Sequence, residues 1–155
     1  MPGLNIVLLE PEIPANTGNI GRSCVVTGSA LHLIRPLGFH IDDRSIKRAG
    51  MDYWFQLDVS YYDDFEDFLD QNRHPVIYMT SSKVTRCYAD VSYPPGAFIM
   101  FGKESAGIPR NILDLYPDTS VRIPMLPGER CLNLSSSVTV VLYEALRQQG
   151  FIGML

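Results

Sequence analysis

Short apolar runs alternate with helix-forming segments along this chain, and the alternation limits the possible folds more than any other feature. The runs contain few polar positions, which is typical of strands buried on both faces of a sheet. The predicted strands cover residues 5–9, 31–34, 55–59, 76–79, 97–101 and 121–123. The predicted helices cover residues 18–27, 45–49, 63–69, 109–116 and 134–149. Repeated strand–helix alternation predicts an α/β fold with a mainly parallel sheet and helices on both faces.

Proline and glycine set the expected boundaries of these elements. Pro11 and Pro14 are expected to keep the segment after the first strand out of helix, and Gly28 is expected to end the first helix. The last helix has apolar residues at helical spacing, and Gly150 is its expected end. With 155 residues and no linker, repeat or low-complexity segment, the chain is expected to form one domain, residues 1–155.

The composition argues against several classes of protein. A net charge of −4 does not fit a wholly basic nucleic-acid-binding protein, but it allows a basic patch at residues 44–48 or at Lys83 and Arg86. A solvated charged face explains either group equally well. Three cysteines without CxxC spacing and three scattered histidines predict neither a disulfide framework nor a metal site. The absence of a basic leader and of a long apolar run predicts a cytoplasmic protein without membrane contact.

Two Gly- or Ser-rich loops follow predicted strands in the last third of the chain, at residues 102–107 and 123–135. We expect these strand ends to be neighbours, so that their loops form a crevice for a small ligand. Gly102 directly follows a strand, where a missing Cβ would let a ligand approach the backbone. Replacing Gly102 by Val is therefore expected to abolish ligand binding without unfolding the protein.

Alternatives exist for the polar residues of these loops and of residues 16–22. Asn133 or Ser135 could simply cap the last helix, or their loop could hold an adenine ring or a ribose through backbone groups. The segment 16–22 has neither a Walker lysine nor GxGxxG spacing, so phosphoryl transfer and dinucleotide binding are poorly supported. Its Arg22 suits a phosphate or a surface ion pair.

Taken in order, these segments resemble the three motifs of the SPOUT superfamily of RNA methyltransferases. The motifs are Asn16-x-Gly18-x-x-x-Arg22, Phe101-Gly-x-Glu104-x-x-Gly107, and Ile123-Pro-Met125 with Asn133-Leu-Ser135. Residues 10–14, 38–39, 48–50 and 52–53 are similar to its small single-domain TrmL subfamily, also called YibK. The resemblance covers residues 5–150 and implies a SPOUT fold with a deep C-terminal trefoil knot, a rare exception to the rule against threaded chains.

The resemblance also implies an activity. The cofactor would be S-adenosylmethionine, leaving S-adenosylhomocysteine, without a metal. The acceptor would be the ribose 2′-oxygen of the wobble nucleotide, cytidine or uridine 34, of a leucine tRNA. Two alternatives stay open: methylation of rRNA by the same fold, and a non-catalytic RNA- or nucleotide-binding module.

Site residues follow from matching positions. The implied cofactor-binding residues are Thr80, Gly102, Ile123, Met125, Cys131, Leu132 and Asn133. The implied catalytic residues are Arg22, Asn16, Glu104, Ser135 and Tyr143. The implied RNA-binding residues are Arg48, Lys83 and Arg130. Cys131 stands where a serine is common in the family, and Ser135-Ser-Ser137 stands where Ser-Asn-Ala is expected. A cysteine is tolerated at such a position if the contact is made by the backbone.

The implied partners are the anticodon stem-loop of tRNA and a second copy of the chain. A homodimer would bury the first and last helices and bring Arg22 of one subunit towards the cofactor of the other. Apolar residues around the end of the last helix favour this arrangement: Tyr143, Leu146, Phe151, Ile152, Met154 and Leu155. The alternative is a tail that folds back on its own core.

Overall fold

The computed structural model describes residues 3–42 and 52–155, and it places the strands of this part in one six-stranded sheet. The strands are β1 (Asn5–Leu9), β2 (Ala30–Ile34), β3 (Val59–Tyr62), β4 (Ile77–Thr80), β5 (Phe98–Phe101) and β6 (Ser120–Val121). The α-helices are α1 (Pro14–Thr27), α2 (Phe65–Gln71), α3 (Arg110–Leu113) and α4 (Leu134–Gln148). The strand order is β3-β2-β1-β5-β4-β6, and the five pairings are all parallel. The predicted α/β class and parallel sheet are confirmed.

Alternate residues of the strands enter two apolar cores on opposite faces of the sheet. Ile6 packs in one core with Ile20 of α1 and Val141 of α4. Its neighbour Val7 packs in the other core with Phe68 of α2. Both strand faces are therefore covered, which is why the strand sequences are apolar throughout and why helices lie on both sides, as predicted.

The start of α1 differs from the prediction. The helix begins at Pro14 instead of near residue 18, because the first turn of a helix does not need the N–H that proline lacks. The helix ends at Gly28 (φ 67°), as predicted. Its N-cap residue is Ile13, whose side chain accepts no hydrogen bond.

The predicted strand over residues 55–59 is wrong. Trp54–Gln56 form a 3-10 helix with the Trp54 side chain buried, and the strand begins at Val59. Burial of a short helical turn explains apolar residues there as well as strand pairing would. The predicted helix over residues 45–49 lies outside the described residues. A second 3-10 helix, Tyr88–Asp90, was not predicted.

The order of the last strands also differs from the expectation that the loops after residues 101 and 123 are neighbours. β4 lies between β5 and β6 and pairs with both. Parallel neighbours are joined by long crossover connections, so their order cannot be deduced from adjacency along the chain. As a result, the end of β4 at Thr80 lies between the two loops.

A buried polar cluster lies on the face of the sheet that α2 covers; we call His32, Tyr62 and Asn5 the His32 network. The His32 Nδ1 atom lies 2.7 Å from the Tyr62 hydroxyl, and Nε2 lies 3.0 Å from Asn5 Oδ1. Asn5 Nδ2 donates to the Gly96 carbonyl at 3.0 Å. Burial, with the Phe68 ring 5.8 Å away, lowers the pKa of His32 from 6.5 to about 4. The ring is therefore neutral at pH 7.

The tail beyond α4 folds back only in part. Met154 packs against the first core, whereas Phe151, Ile152 and Leu155 are exposed. Within residues 3–42 and 52–155, the helices are too short or too polar to cross a membrane.

Candidate functional site

A cavity of about 460 Å³ opens at the carboxyl ends of β4 and β5, beside the start of α1. Its volume is within the range of small-molecule sites. The lining combines polar and apolar residues from four segments: Ile13 and Asn16; Thr80–Lys83; Phe101–Gly107; and Ile123, Met125, Cys131–Leu134 and Ser137. All seven residues expected to bind a cofactor are in this lining. The carboxyl edge of a parallel sheet is where α/β proteins place their ligands.

Gly102 is required by the fold of its own loop. A Cβ built on Gly102 would collide with the backbone of Gly107 and Ile108. The loop folds back here, since the Gly107 N–H donates to the Lys103 carbonyl at 2.8 Å. The expectation that Gly102→Val spares folding is therefore wrong in its physical basis: the substitution would disrupt the loop itself. Gly107, with φ 68° and open space at its Cβ position, supplies the left-handed turn.

Glu104 completes the N-terminus of α1. Its Oε2 accepts from the Glu12 N–H at 2.8 Å, and its Oε1 accepts from the Ile13 N–H at 3.1 Å. Both N–H groups belong to the two residues before the first helical residue, Pro14, and a carboxylate at this place also suits the positive end of a helix.

The Glu12 carboxylate makes a reciprocal contact with Ser105. Its Oε1 accepts from the Ser105 N–H at 2.8 Å and from the Ser105 hydroxyl at 2.6 Å. These hydrogen bonds lower the pKa of Glu12, and the one from the Ser105 hydroxyl has the larger effect. Each carboxylate thus binds the backbone next to the other one, and the loop after β5 is fixed to the start of α1.

A chain of hydrogen bonds joins all three sequence motifs; we call Glu104, Asn16, Asn133 and Ser135 the Asn16 network. Asn16 Nδ2 donates to Glu104 Oε1 at 3.3 Å, and Asn133 Nδ2 donates to Asn16 Oδ1 at 3.1 Å. Asn133 Oδ1 accepts from the Ser135 N–H at 2.9 Å and from its hydroxyl at 2.6 Å. Asn133 is therefore the N-cap of α4, as the simpler interpretation held, and it also connects α4 to α1.

Thr80 has an unused hydrogen-bonding group at the cavity. Among the described residues, its buried Oγ1 has no hydrogen-bond partner. Leaving a buried hydroxyl unpaired costs about 1–3 kcal/mol, and Thr17 Oγ1 of α1 is buried and unpaired in the same way.

The residues expected to bind RNA have different surroundings. Lys83 Nζ donates to the carbonyls of Ala106 (3.0 Å) and Ile108 (2.7 Å), so it holds the loop after β5 in place. Arg130 is exposed beside the cavity-lining residue Cys131. Arg48 lies outside the described residues.

Three of the expected catalytic residues do not line this cavity within one chain. Ser135 and Tyr143 line a second cavity, of about 480 Å³, between α1 and α4. Arg22 is exposed on α1, with its guanidinium carbon 5.2 Å from the centre of the Tyr53 ring. Asn16 and Glu104 are the two that line the first cavity.

Sequence reasoning missed Glu12 and Ser105. No local sequence signal indicates this pair, because the contact joins residues 93 positions apart and depends on the tertiary fold. No group of three or more His, Cys, Asp or Glu residues suited to a metal ion occurs in the part of the chain that the structure describes.

Comparison with known proteins gives consistent matches. A model described as the SpoU rRNA Methylase family matches residues 3–143. The tRNA (cytidine(34)-2′-O)-methyltransferase of Escherichia coli K12 is 47% identical over 151 residues, covering 97% of this chain and 96% of that protein.

Solved structures agree with these matches. One described as giving structural insights into the 2-OH methylation of C/U34 on tRNA is 38% identical, with a TM-score of 0.89 over 97% of this chain and 98% of its own. The methyltransferase AviRb of Streptomyces viridochromogenes, in complex with AdoMet, shares the fold. It is 23% identical, with a TM-score of 0.82 over 96% of this chain and 61% of its own.

Proposed function

Because this chain belongs to the SpoU rRNA Methylase family, we propose that it methylates the ribose 2′-oxygen of the wobble nucleotide of tRNA, cytidine or uridine 34, with leucine tRNAs as substrates. The observation that carries the proposal is the first cavity. Residues of all three motifs line it. Hydrogen bonds join three of them, Glu104, Asn16 and Asn133, to one another.

The cavity residues suit S-adenosylmethionine as the cofactor. When bound, this cofactor supplies a methyl group on a sulfonium, and S-adenosylhomocysteine is left after transfer. Ile123, Met125 and Leu132 offer apolar contact to the cofactor. The loops that contain Gly102 and Asn133 offer backbone groups. A deep trefoil knot at the carboxyl edge of the sheet, which the resemblance to the family implies, is part of this proposal.

Arg22 is proposed to act on the RNA and not on the cofactor. The 2′-oxygen must be held in line with the methyl group, and its proton must leave as the new O–C bond forms. A guanidinium stays protonated in proteins, so Arg22 positions a phosphate and stabilises the developing alkoxide instead of accepting the proton.

The distance of Arg22 from its own cavity is explained by a homodimer in which the site is shared. Arg22 and Val26 are exposed one turn apart on α1, and Val26 is 56% exposed. Tyr143 and Phe151, at 39% and 40% exposure, extend the apolar surface around α4. An isologous pairing through this surface would cover it and bring Arg22 to the partner's cavity.

The central experiment offers the protein labelled S-adenosylmethionine with a leucine tRNA transcript, and with a matched transcript that carries 2′-deoxyribose at position 34. Methyl transfer to the first and not to the second is expected, because only the first has the acceptor oxygen. Transfer to both transcripts, or transfer to rRNA but not to tRNA, would contradict the proposed substrate.

Two variants test the shared site. Arg22→Ala should lower methyl transfer by orders of magnitude while calorimetry shows cofactor affinity within about 1 kcal/mol of wild type. Ala106→Trp, at an exposed position of the cavity lining, should block cofactor binding. Mixing the two inactive proteins should restore part of the activity if each site uses both chains; no recovery would contradict sharing.

A further inference from the structure

Four cationic side chains converge on the segment 81–86, at the edge of the first cavity; we call Lys83, Arg86, Arg110 and Arg122 the basic patch. Arg122 Nη1 donates to the Ser82 carbonyl at 2.6 Å, and Arg110 Nη2 donates to the Lys83 carbonyl at 3.1 Å. The Arg122 N–H donates to the Arg86 carbonyl at 2.7 Å. Residues from three parts of the chain therefore form one continuous basic surface.

The basic patch has no acidic partner among the described residues. The ion pairs of this part of the chain are Arg35–Asp63, His74–Asp70 and Arg147–Glu144, and none of them includes a member of the patch. Lys83, Arg86 and Arg110 are exposed. In a chain whose net charge is −4, such a concentration of unpaired positive charge favours an anionic partner.

The arginines of the patch are held in place and still have donors to spare. Arg86 Nη1 donates to the Asp118 carbonyl, as Arg110 and Arg122 donate to theirs. A guanidinium has five N–H groups, so each arginine keeps several for a ligand. Because the side chains are already ordered, binding through them loses less conformational entropy than binding through free surface arginines.

We infer that the basic patch binds the phosphate backbone of the RNA whose target ribose enters the cavity. This inference rests on the proposed function, because it assumes an RNA substrate. Ser81, Ser82 and Lys83 line the cavity, so the patch begins where the target nucleotide must lie and extends outward along β6 and α3. Consecutive phosphates suit several guanidinium groups in a row, each of which can bind a phosphate through two N–H groups.

The test compares two double variants with the same change in charge. Arg86→Gln with Arg110→Gln removes two charges from the patch but keeps side chains that can donate to the same carbonyls. Arg73→Gln with Arg147→Gln removes two charges outside the patch, after α2 and in the last turn of α4. Binding to a tRNA anticodon stem-loop and to an rRNA hairpin of equal length is measured at several salt concentrations.

The patch variant should lower the slope of log affinity against log salt by about 1.4–1.8, since each lost phosphate contact removes about 0.7–0.9. The control variant should keep the wild-type slope, and both should keep wild-type affinity for S-adenosylmethionine. Phosphate contacts do not depend on sequence, so the effect should occur with whichever RNA binds. Which RNA the wild-type protein methylates is measured separately, and that result judges the proposed function alone.

Three outcomes would overturn the inference. The patch variant could keep the wild-type slope on a bound RNA, or the control variant could lose as much slope as the patch variant. Alternatively, the patch variant could lose binding to polyglutamate while its RNA binding is unchanged, which would assign the patch to an acidic protein.

Discussion

The His32 network and the Asn16 network are both polar clusters built on the same sheet, but their hydrogen bonds are complete to different degrees. Both ring nitrogens of His32 have partners, and aromatic rings pack around them. The Asn16 network borders a cavity, and the neighbouring Thr80 Oγ1 has no partner among the described residues. Polar groups that bond only each other stabilise a fold, whereas groups with free donors or acceptors can bind a ligand.

The largest effect is expected from breaking the complete network. His32→Ala should lower the free energy of unfolding by about 2–4 kcal/mol, because it opens a hole among aromatic rings and leaves the Tyr62 hydroxyl and Asn5 Oδ1 without this partner. Urea unfolding at fixed protein concentration measures this. His40→Ala, at an exposed position, is the control and should change stability little. Cofactor affinity should be unchanged; a large loss would mean that the two networks are coupled.

Lowering the pH should reduce the stability that the His32 network provides. The folded-state pKa of His32 is about 4 and its ordinary value is 6.5, so the unfolded chain binds more protons between these values. Stability from this group is therefore full above pH 6.5 and falls as the pH drops towards 4, by at most about 3 kcal/mol. His32→Gln cannot titrate, and the difference between its pH profile and that of wild type isolates the effect. Parallel profiles from pH 7 to 4 would disprove it.

Asn133 has two roles in the Asn16 network: it caps α4, and it connects α4 to Asn16 of α1. Two substitutions of Asn133 distinguish these roles. Asn133→Ala removes both, and should cost about 1 kcal/mol of stability and about tenfold in cofactor affinity. Asn133→Asp keeps the acceptor for the Ser135 N–H but loses the donor to Asn16 Oδ1. It should therefore keep stability near wild type while cofactor affinity falls. If Asn133→Asp binds the cofactor normally, the bridge to Asn16 does not contribute to the site.

The smallest effect on stability is expected at Thr80. Whether the substitution stabilises or destabilises the protein shows whether the Thr80 hydroxyl is unpaired. Thr80→Val removes an unpaired buried hydroxyl, so it should leave the protein as stable as wild type or up to about 1 kcal/mol more stable. Thr119→Val removes a hydroxyl that donates to the Ile77 carbonyl at 2.7 Å, and should destabilise by about 1 kcal/mol. Equal destabilisation by both substitutions would show that Thr80 is already bonded.

Local features of this fold could be predicted from the sequence, and contacts between distant segments could not. The apolar runs predicted most strands, and resemblance to a family placed seven residues around what is one cavity. The partners of Glu12 and Glu104 depend on the strand order, because these contacts span 92 and 93 residues. The position of Arg22 outside the cavity likewise depends on how α1 lies against the sheet.

The central position of β5 has a consequence for synthesis on the ribosome. β5 pairs with β1 on one side and β4 on the other, and both are made before it. A nascent chain that ends before Phe98 therefore exposes an unpaired edge of the apolar strand β1. The strands that pair with β4 have not yet been made. Such edges promote aggregation between chains. Translation of residues 98–101 is the step at which the two halves of the sheet become joined.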